Sequence, residues 1–126
     1  IINYLGHVDD MPNLLNTIDI AVLPSAREGL PKSLIEALAC GIPIITTDVP
    51  GCRDVVENRF DGILIQYGRP SKLKQAIEFL ISNQEEYNRF SKNARISALK
   101  KYDSKIVNKL TLEIYKSLFL KLSNHD

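Results

Sequence analysis

Glycine and proline are missing from the last part of this sequence: all six glycines and all six prolines lie at or before position 70. Because these residues mark turns and end helices, their absence predicts nearly continuous helix over residues 71–126. No apolar run approaches the roughly 20 residues that a membrane-spanning helix needs, so no such helix is predicted. With 44% apolar and 25% charged residues, the composition excludes disordered and collagen-like chains.

Cysteine is scarce, with only Cys40 and Cys52 in 126 residues. No signal peptide is recognisable, and this cysteine usage predicts reduced thiols and a cytoplasmic location. We interpret Cys40 as a small core residue and assign no chemistry to Cys52, which falls in an expected loop. The cysteines and the two histidines lack the spacing of a metal site. For His7, at an expected strand end, we favour a structural or solvent-facing role over a contact with a ligand.

Charge is nearly balanced, with 16 basic and 15 acidic side chains and a net charge of +1. This balance indicates no nucleic-acid partner. The distribution is uneven, since residues 1–66 carry four Lys or Arg and nine Asp or Glu, whereas residues 67–126 carry twelve and six. We interpret the lysines of the second part as a solvated helix face, with peripheral membrane contact as the alternative. They are Lys72, Lys74, Lys100, Lys101, Lys105 and Lys109.

Short β-branched runs separated by helical patterns predict parallel strands joined by helical crossovers. Asp9 or Asp10 should cap a first helix, and a second helix should run over residues 31–40 and end at Gly41. A further short helix should precede the last strand. The expected strands, of which the second should be buried on both faces, lie at residues 2–8, 20–23, 42–47 and 63–65.

Beyond residue 70 the apolar residues repeat with the period of a helix. They form three stripes: Leu73, Ile77, Leu80 and Ile81; then Tyr87, Phe90 and Ala94; then Val107, Leu110, Ile114 and Leu118. We therefore predict one domain of the α/β class. It should contain a Rossmann-like doubly wound parallel sheet over residues 1–68 and a helical C-terminal tail over residues 69–126.

The stretch over residues 24–41 holds the candidate site. A strand ends, a loop containing glycine and proline turns the chain, and a helix begins, which in doubly wound sheets is where ligands bind. Glu28 precedes the helix and Glu36 lies inside it, and a carboxylate can accept two hydrogen bonds from a vicinal diol. The start of the helix suits a phosphate, and three residues can offer a backbone N–H there: Leu30, Lys32 and Ser33. A nucleotide site is one interpretation; two solvated acids are the other.

The spacing Glu28-x7-Glu36, within EGLPKSLIEALACGIPIITTDVPGCRDVV, resembles the E-x7-E signature of family-4 retaining glycosyltransferases with the GT-B fold. The resemblance continues in one register from Asn3 to Ile65. It implies the C-terminal, donor-binding domain of an enzyme of polysaccharide biosynthesis. Such an enzyme transfers a sugar from a nucleotide diphosphate sugar to a glycan or lipid-linked acceptor, in the cytoplasm or, as the alternative, at the inner face of the cytoplasmic membrane. A UDP-sugar is the default donor, and no cofactor is implied.

By position, the resemblance implies a catalytic contact between Glu28 and the hydroxyls of the transferred sugar. Glu36 would hold the ribose hydroxyls of the donor nucleotide. Pro31 stands where many members have glycine, so one possible N–H contact is lost. The remaining donor contacts would come from the backbone, facing the sugar at Gly29 and Leu30 and the diphosphate at Lys32 and Ser33.

The family places its basic diphosphate clamp and its acceptor domain upstream of the region that this sequence resembles. Because the sequence begins at Ile1, without Met and in an expected strand, we interpret it as a fragment of a longer polypeptide, and the acceptor domain as missing from the fragment. A processed or engineered start is the alternative. We expect no transferase activity from these 126 residues alone. Two other functions stay open: a non-catalytic interaction module with a vestigial nucleotide site, and half of a dinucleotide-dependent dehydrogenase. The absence of a G-x-G-x-x-G sequence counts against the second.

We expect the activity of the complete protein to be independent of added metal ions. No Asp-x-Asp pair lies near the expected donor loop, and backbone N–H groups with a helix dipole can neutralise a diphosphate instead. Sugar transfer should therefore continue at an unchanged rate in excess EDTA. Loss of activity in EDTA that manganese restores would contradict this expectation.

Overall fold

A three-stranded parallel sheet with helices on both faces forms the centre of the structure, a computed structural model that describes the backbone of residues 2–123 and the side chains of residues 2–117. The strands are β1 (Ala21–Leu23), β2 (Ile44–Thr47) and β3 (Gly62–Ile65), in that order across the sheet. The helices are α1 (Met11–Leu15), α2 (Lys32–Ala39), α3 (Pro50–Val55), α4 (Pro70–Ser82), α5 (Gln84–Tyr102) and α6 (Ser104–Ser123). The predicted α/β class and the helical C-terminal segment are confirmed.

Two apolar clusters cover the two faces of the sheet. One cluster combines Ile44 of β2 with Leu34 and Leu38 of α2 and with Val55 of α3. The other cluster places residues of β2 and β3 against Leu80 of α4. Helix α5 contributes to both, with Phe90 in the second cluster and Ala94 and Ala98 in the first. This helix therefore holds the two layers of helices together.

Strand β1 is less buried than the sequence analysis predicts. Ala21 and Leu23 pack against the first cluster, but Val22, on the other face, is 41% exposed. The reason is that α4 packs mainly on β2 and β3, which leaves this face of β1 partly open. The expectation of a strand buried on both faces is therefore wrong for β1.

The strand expected over residues 2–8 is absent. The side chains of Ile2 and Tyr4 are almost completely exposed, at 96% and 95%, and no strand of the described residues lies beside them. A strand needs a hydrogen-bonded neighbour as well as β-forming residues. The β-forming composition of this segment is therefore not enough to form a strand here.

The helix boundaries follow the capping residues. Asp10 is the N-cap of α1, where its carboxylate accepts a hydrogen bond from the N–H of Asn13 at 3.2 Å. Gly41 follows the end of α2 with a φ of +70°, a conformation that glycine adopts without strain. Both were predicted. The expected locations of the cysteines are wrong: Cys40 is the exposed C-cap of α2 rather than a core residue, and Cys52 is buried inside α3 rather than in a loop.

The stripes of the C-terminal helices are buried only in part. Phe90 and Ala94 are fully buried, but Ile81 lies just past the buried side of α4 and is exposed. On α6 the stripe stays exposed, with Ile114 at 61%, because the main contact of α6 among the described elements is with α5. The side chain of Leu118 lies outside the described residues.

Asp61 is a buried carboxyl group that joins the end of α3 to α5. Its Oδ1 accepts a hydrogen bond from the N–H of Glu57 at 2.8 Å, and its Oδ2 accepts one from Ser97 Oγ at 2.6 Å. Burial raises the pKa of Asp61 above its ordinary value of 3.8 because the charged form is desolvated, although both hydrogen bonds and the charge of Lys101 act in the opposite direction.

The raised pKa of Asp61 predicts a pH dependence of stability. The folded state binds the Asp61 proton more tightly than the unfolded state does, so protonation of Asp61 stabilises the fold. This contribution to the free energy of unfolding is complete below pH 3.8, the ordinary pKa, and is lost as pH rises through the folded pKa. Asp61→Asn cannot titrate. Urea unfolding at several pH values from about 4 to 7 should therefore show the wild type losing more stability than the variant over that range.

The exposed Asp54→Asn in α3 serves as the control, since its stability should follow the wild-type curve. Parallel pH curves for the wild type and Asp61→Asn would contradict the assignment.

Candidate functional site

The candidate site lies at the carboxyl end of β1, where the chain turns into α2 through residues 24–31. Glu28 is half-buried in this loop, and its Oε1 accepts a hydrogen bond from Ser25 Oγ at 2.6 Å. Among the described residues no hydrogen bond is formed with Glu28 Oε2. One oxygen of this carboxylate is thus fixed by the protein, and the other is available to a ligand.

Two threonines of β2 fasten the loop to the sheet. Thr46 Oγ1 donates a hydrogen bond to the carbonyl oxygen of Leu23 at 2.7 Å, and Thr47 Oγ1 donates one to the carbonyl oxygen of Ser25. Both threonines are buried, with Thr47 only 2% exposed. A buried hydroxyl needs a partner, so these contacts determine where the chain leaves β1.

Gly51, in the first turn of α3, lies directly against the same loop. A Cβ atom at this position would be 2.0 Å from the carbonyl oxygen of Gly29 and 2.5 Å from that of Glu28. Only a residue without a side chain allows α3 to approach the loop so closely. The backbone of Glu28 is therefore supported by α3, while its side chain is held by Ser25.

Helix α2 begins without a side-chain cap. The carbonyl oxygen of its N-cap, Pro31, accepts hydrogen bonds from the N–H groups of Leu34 and Ile35 at 3.1 and 3.4 Å. The preceding N–H groups, of Lys32 and Ser33, come too early in the helix to have an intrahelical acceptor. Both of these residues are exposed, so their N–H groups can meet a ligand at the positive end of the helix dipole.

Glu36 lies one turn after Lys32 on the same side of α2. Its side chain is 37% exposed, and its Oε1 is 3.6 Å from Lys32 Nζ. A pair of this kind, four residues apart on a helix, is weak in water. Lys32 can therefore turn towards an anionic ligand at modest cost.

The structure brings the predicted site residues together in the loop and the first half of α2. Glu28 and Glu36 are half-buried, whereas four residues are exposed: Gly29, Leu30, Lys32 and Ser33. His7 belongs to the exposed N-terminal segment and lies 3.2 Å from the carboxylate of Asp9, which agrees with the solvent-facing role. The donor contacts assigned to these residues stay predictions.

Sequence reasoning assigned no role to the residues that hold the loop in place, namely Ser25, Thr47 and Gly51. One signal in the sequence was the pair of threonines at the end of an otherwise apolar strand. The sequence also did not show that residues at the carboxyl ends of the strands, namely Pro24, Thr47 and Ile65, line a cleft of about 310 Å³. Tyr67, Arg69 and Leu73 also line this cleft.

Two further observations limit the chemistry available to the described residues. No group of three or more His, Cys, Asp or Glu side chains among them is placed to hold a metal ion. Within residues 2–123, no helix is both long and apolar enough to cross a bilayer.

Comparison with known proteins gives a consistent result. The family model for glycosyl transferases group 1 matches residues 2–97. Over 114 residues, the chain is 36% identical to the N,N'-diacetylbacillosaminyl-diphospho-undecaprenol alpha-1,3-N-acetylgalactosaminyltransferase of Campylobacter jejuni, covering 90% of the chain and 30% of that protein. Over 91 residues, it is 36% identical to the UDP-Gal:alpha-D-GlcNAc-diphosphoundecaprenol alpha-1,3-galactosyltransferase of Escherichia coli, covering 72% of the chain and 23% of that protein.

Solved structures show the same fold. Anabaena Alr3699/HepE in complex with UDP superposes with a TM-score of 0.86 at 26% identity, covering 90% of this chain and 31% of that one. Its complex with UDP-glucose superposes with a TM-score of 0.84 at the same identity and coverage. The chain spans less than a third of the length of these relatives.

The contact between Gly51 and the loop predicts that this glycine cannot be replaced without loss. In Gly51→Ala the new methyl group would overlap the carbonyl oxygen of Gly29, so the loop or α3 must move. We expect the free energy of unfolding to fall by about 1–3 kcal/mol, as in other overpacked sites. Urea denaturation provides the measurement.

The matched control is Gly29→Ala, whose methyl group would meet nothing within 4 Å. It should change the free energy of unfolding by no more than about 0.5 kcal/mol. Equal destabilisation by the two substitutions would contradict the steric role of Gly51.

Proposed function

This chain belongs to the group 1 glycosyl transferases, and we propose that it forms the donor-binding part of a retaining member. In this proposal the complete protein transfers a sugar from a nucleotide diphosphate sugar to a glycan or lipid-linked acceptor. The observation that carries the proposal is the arrangement around the start of α2, where two exposed residues without a side-chain cap, Lys32 and Ser33, lie along the chain between two half-buried carboxylates, Glu28 and Glu36. These carboxylates form the E-x7-E pattern.

The start of α2 would bind the diphosphate. Transfer breaks the bond between the anomeric carbon of the sugar and a diphosphate oxygen, so negative charge grows on the leaving diphosphate. The N–H groups of Lys32 and Ser33 and the positive end of the helix dipole would stabilise that charge. The ammonium group of Lys32 can leave Glu36 and add to this stabilisation.

The two carboxylates would bind opposite ends of the donor. Glu36 follows the diphosphate-binding residues along α2 and would accept hydrogen bonds from the ribose hydroxyls. Glu28 precedes them and would use its available Oε2 for the hydroxyls of the transferred sugar. Gly29 and Leu30, both exposed, lie between Glu28 and the start of α2 along the chain. Their backbone would contact the transferred sugar.

The relatives support a choice of donor and acceptor. The structural relative was solved with UDP and with UDP-glucose, which favours a UDP-sugar here. The names of the two curated relatives describe transfer to sugars linked through diphosphate to undecaprenol. We therefore favour a sugar on a polyprenyl diphosphate as acceptor, with cytoplasmic action at the membrane surface and peripheral contact through the exposed lysines of α4, α5 and α6.

The residues that bind the acceptor, and those that make the remaining contacts with the donor, would belong to parts of the complete protein beyond the region that this chain covers. A reaction between two substrates needs both to be held in contact. The 126 residues should therefore bind UDP but not transfer sugar.

The separate roles of Glu36 and Glu28 predict different effects of substitution in the complete protein. Glu36→Gln should weaken binding of UDP roughly 10- to 100-fold, because a charge-assisted hydrogen bond to the ribose is lost. Glu28→Gln should leave UDP affinity nearly unchanged and lower kcat, because UDP carries no sugar for this residue to contact. Calorimetric titration with UDP and steady-state kinetics measure the two effects.

Glu113→Gln, on the exposed surface of α6, is the matched control and should behave like the wild type in both assays. Equal losses of UDP affinity in the Glu28 and Glu36 variants would refute the separate roles. Normal binding and normal kcat in both variants would favour the non-catalytic module.

A further inference from the structure

Ser25 connects the centre of the sheet to the carboxylate of Glu28. Its carbonyl oxygen accepts a hydrogen bond from Thr47 Oγ1, and its own hydroxyl donates to Glu28 Oε1 at 2.6 Å. Thr47 belongs to the central strand and is 2% exposed, so the start of this connection is fixed. Ser25 and Glu28 are each half-buried.

We propose that Ser25 is a positioning residue of the donor site. Its hydroxyl holds one oxygen of Glu28 in the loop and thereby directs the other oxygen towards the donor sugar. The inference rests on the proposed function, because it takes the sugar as the partner of Glu28. It goes further in assigning the orientation of that carboxylate to a residue outside the E-x7-E pattern.

The hydroxyl of Ser25 restricts the freedom of the Glu28 side chain. A glutamate side chain has several rotatable bonds, and fixing them costs conformational entropy. A hydrogen bond from a hydroxyl to an ionised carboxylate is short and strong, and here it fixes the side chain before any ligand arrives. A carboxylate already in place loses less entropy when the sugar binds and in the transition state.

The backbone on the other side of Glu28 is equally restricted. The close approach of Gly51 to the carbonyl oxygens of Glu28 and Gly29 leaves the loop no room to move towards α3. Removing the Ser25 hydroxyl should therefore release the side chain of Glu28 without displacing its backbone. This makes a purely structural role of Ser25 distinguishable from a positioning role.

The experiment uses the complete protein and compares Ser25→Ala with Ser25→Thr, which keeps a hydroxyl. With a UDP-sugar donor, Ser25→Ala should lower kcat about tenfold or more, the loss expected for a hydrogen bond to a charged group. Its UDP affinity should stay within about twofold of the wild type, since UDP has no sugar. Ser25→Thr should recover most of the lost kcat.

A double variant isolates the connection to Glu28. If Ser25 acts through Glu28, adding Ser25→Ala to Glu28→Gln should cause little further loss of kcat. Ser82→Ala is the matched control, because it removes a serine hydroxyl that bonds to the backbone of α4, far along the chain from the loop. It should leave kcat unchanged.

The outcomes separate failure of this inference from failure of the proposed function. Normal kcat in Ser25→Ala, together with low kcat in Glu28→Gln, would overturn the inference alone. The inference would also be overturned if Ser25→Ala lowered kcat by the same factor in the Glu28→Gln variant as in the wild type. It would likewise be overturned if Ser25→Ala weakened both UDP binding and thermal stability. Normal kcat in Glu28→Gln would overturn the role of Glu28 and this inference with it.

Discussion

The burial of β2 is the constraint on which the rest of the structure depends. All four of its residues, Ile44–Thr47, are buried, because strands flank it on both sides and helices cover both faces. Buried hydroxyls need hydrogen-bond partners, so this strand can end in two threonines only where the neighbouring chain supplies acceptors. The carbonyl oxygens of Leu23 and Ser25 are those acceptors. The loop after β1 is therefore held at a fixed place by the requirements of the core.

Helix α5 fixes the opposite end of α2. Ser91 Oγ donates a hydrogen bond to the carbonyl oxygen of Gly41 at 2.7 Å, and the guanidinium group of Arg95 donates one to the carbonyl oxygen of Ala39. The terminal carbonyl groups of α2 thus find partners inside the domain, and a positive charge lies at the negative end of its dipole. The first N–H groups of α2 lie at its other end, beyond the carboxyl end of β1. A helix held in this way can present its start to a ligand without moving.

Features that depend on a few neighbouring residues were predicted from the sequence, and features that depend on distant contacts were not. The cap at Asp10 and the helix stop at Gly41 are local and were predicted. Residues 2–8 have the composition of a strand but no neighbour, so that expectation failed. In the site, the spacing of the carboxylates is visible in the sequence, whereas the bond between Thr47 and Ser25 joins residues 22 positions apart. No periodicity reports such a contact.

The charge distribution explains why short-range donors matter at the start of α2. Residues 1–66 carry nine acidic and four basic side chains, so the net charge of the part of the chain that holds the candidate site does not attract an anion. Arg53 is engaged with Asp48 at 2.7 Å, which leaves less free positive charge near the site. At physiological salt, charges farther than about 8 Å are largely screened, whereas N–H groups in direct contact with a ligand are not. In the proposed function, a diphosphate would therefore be bound by the backbone N–H groups of Lys32 and Ser33, together with the Lys32 ammonium group once it exchanges Glu36 for the ligand.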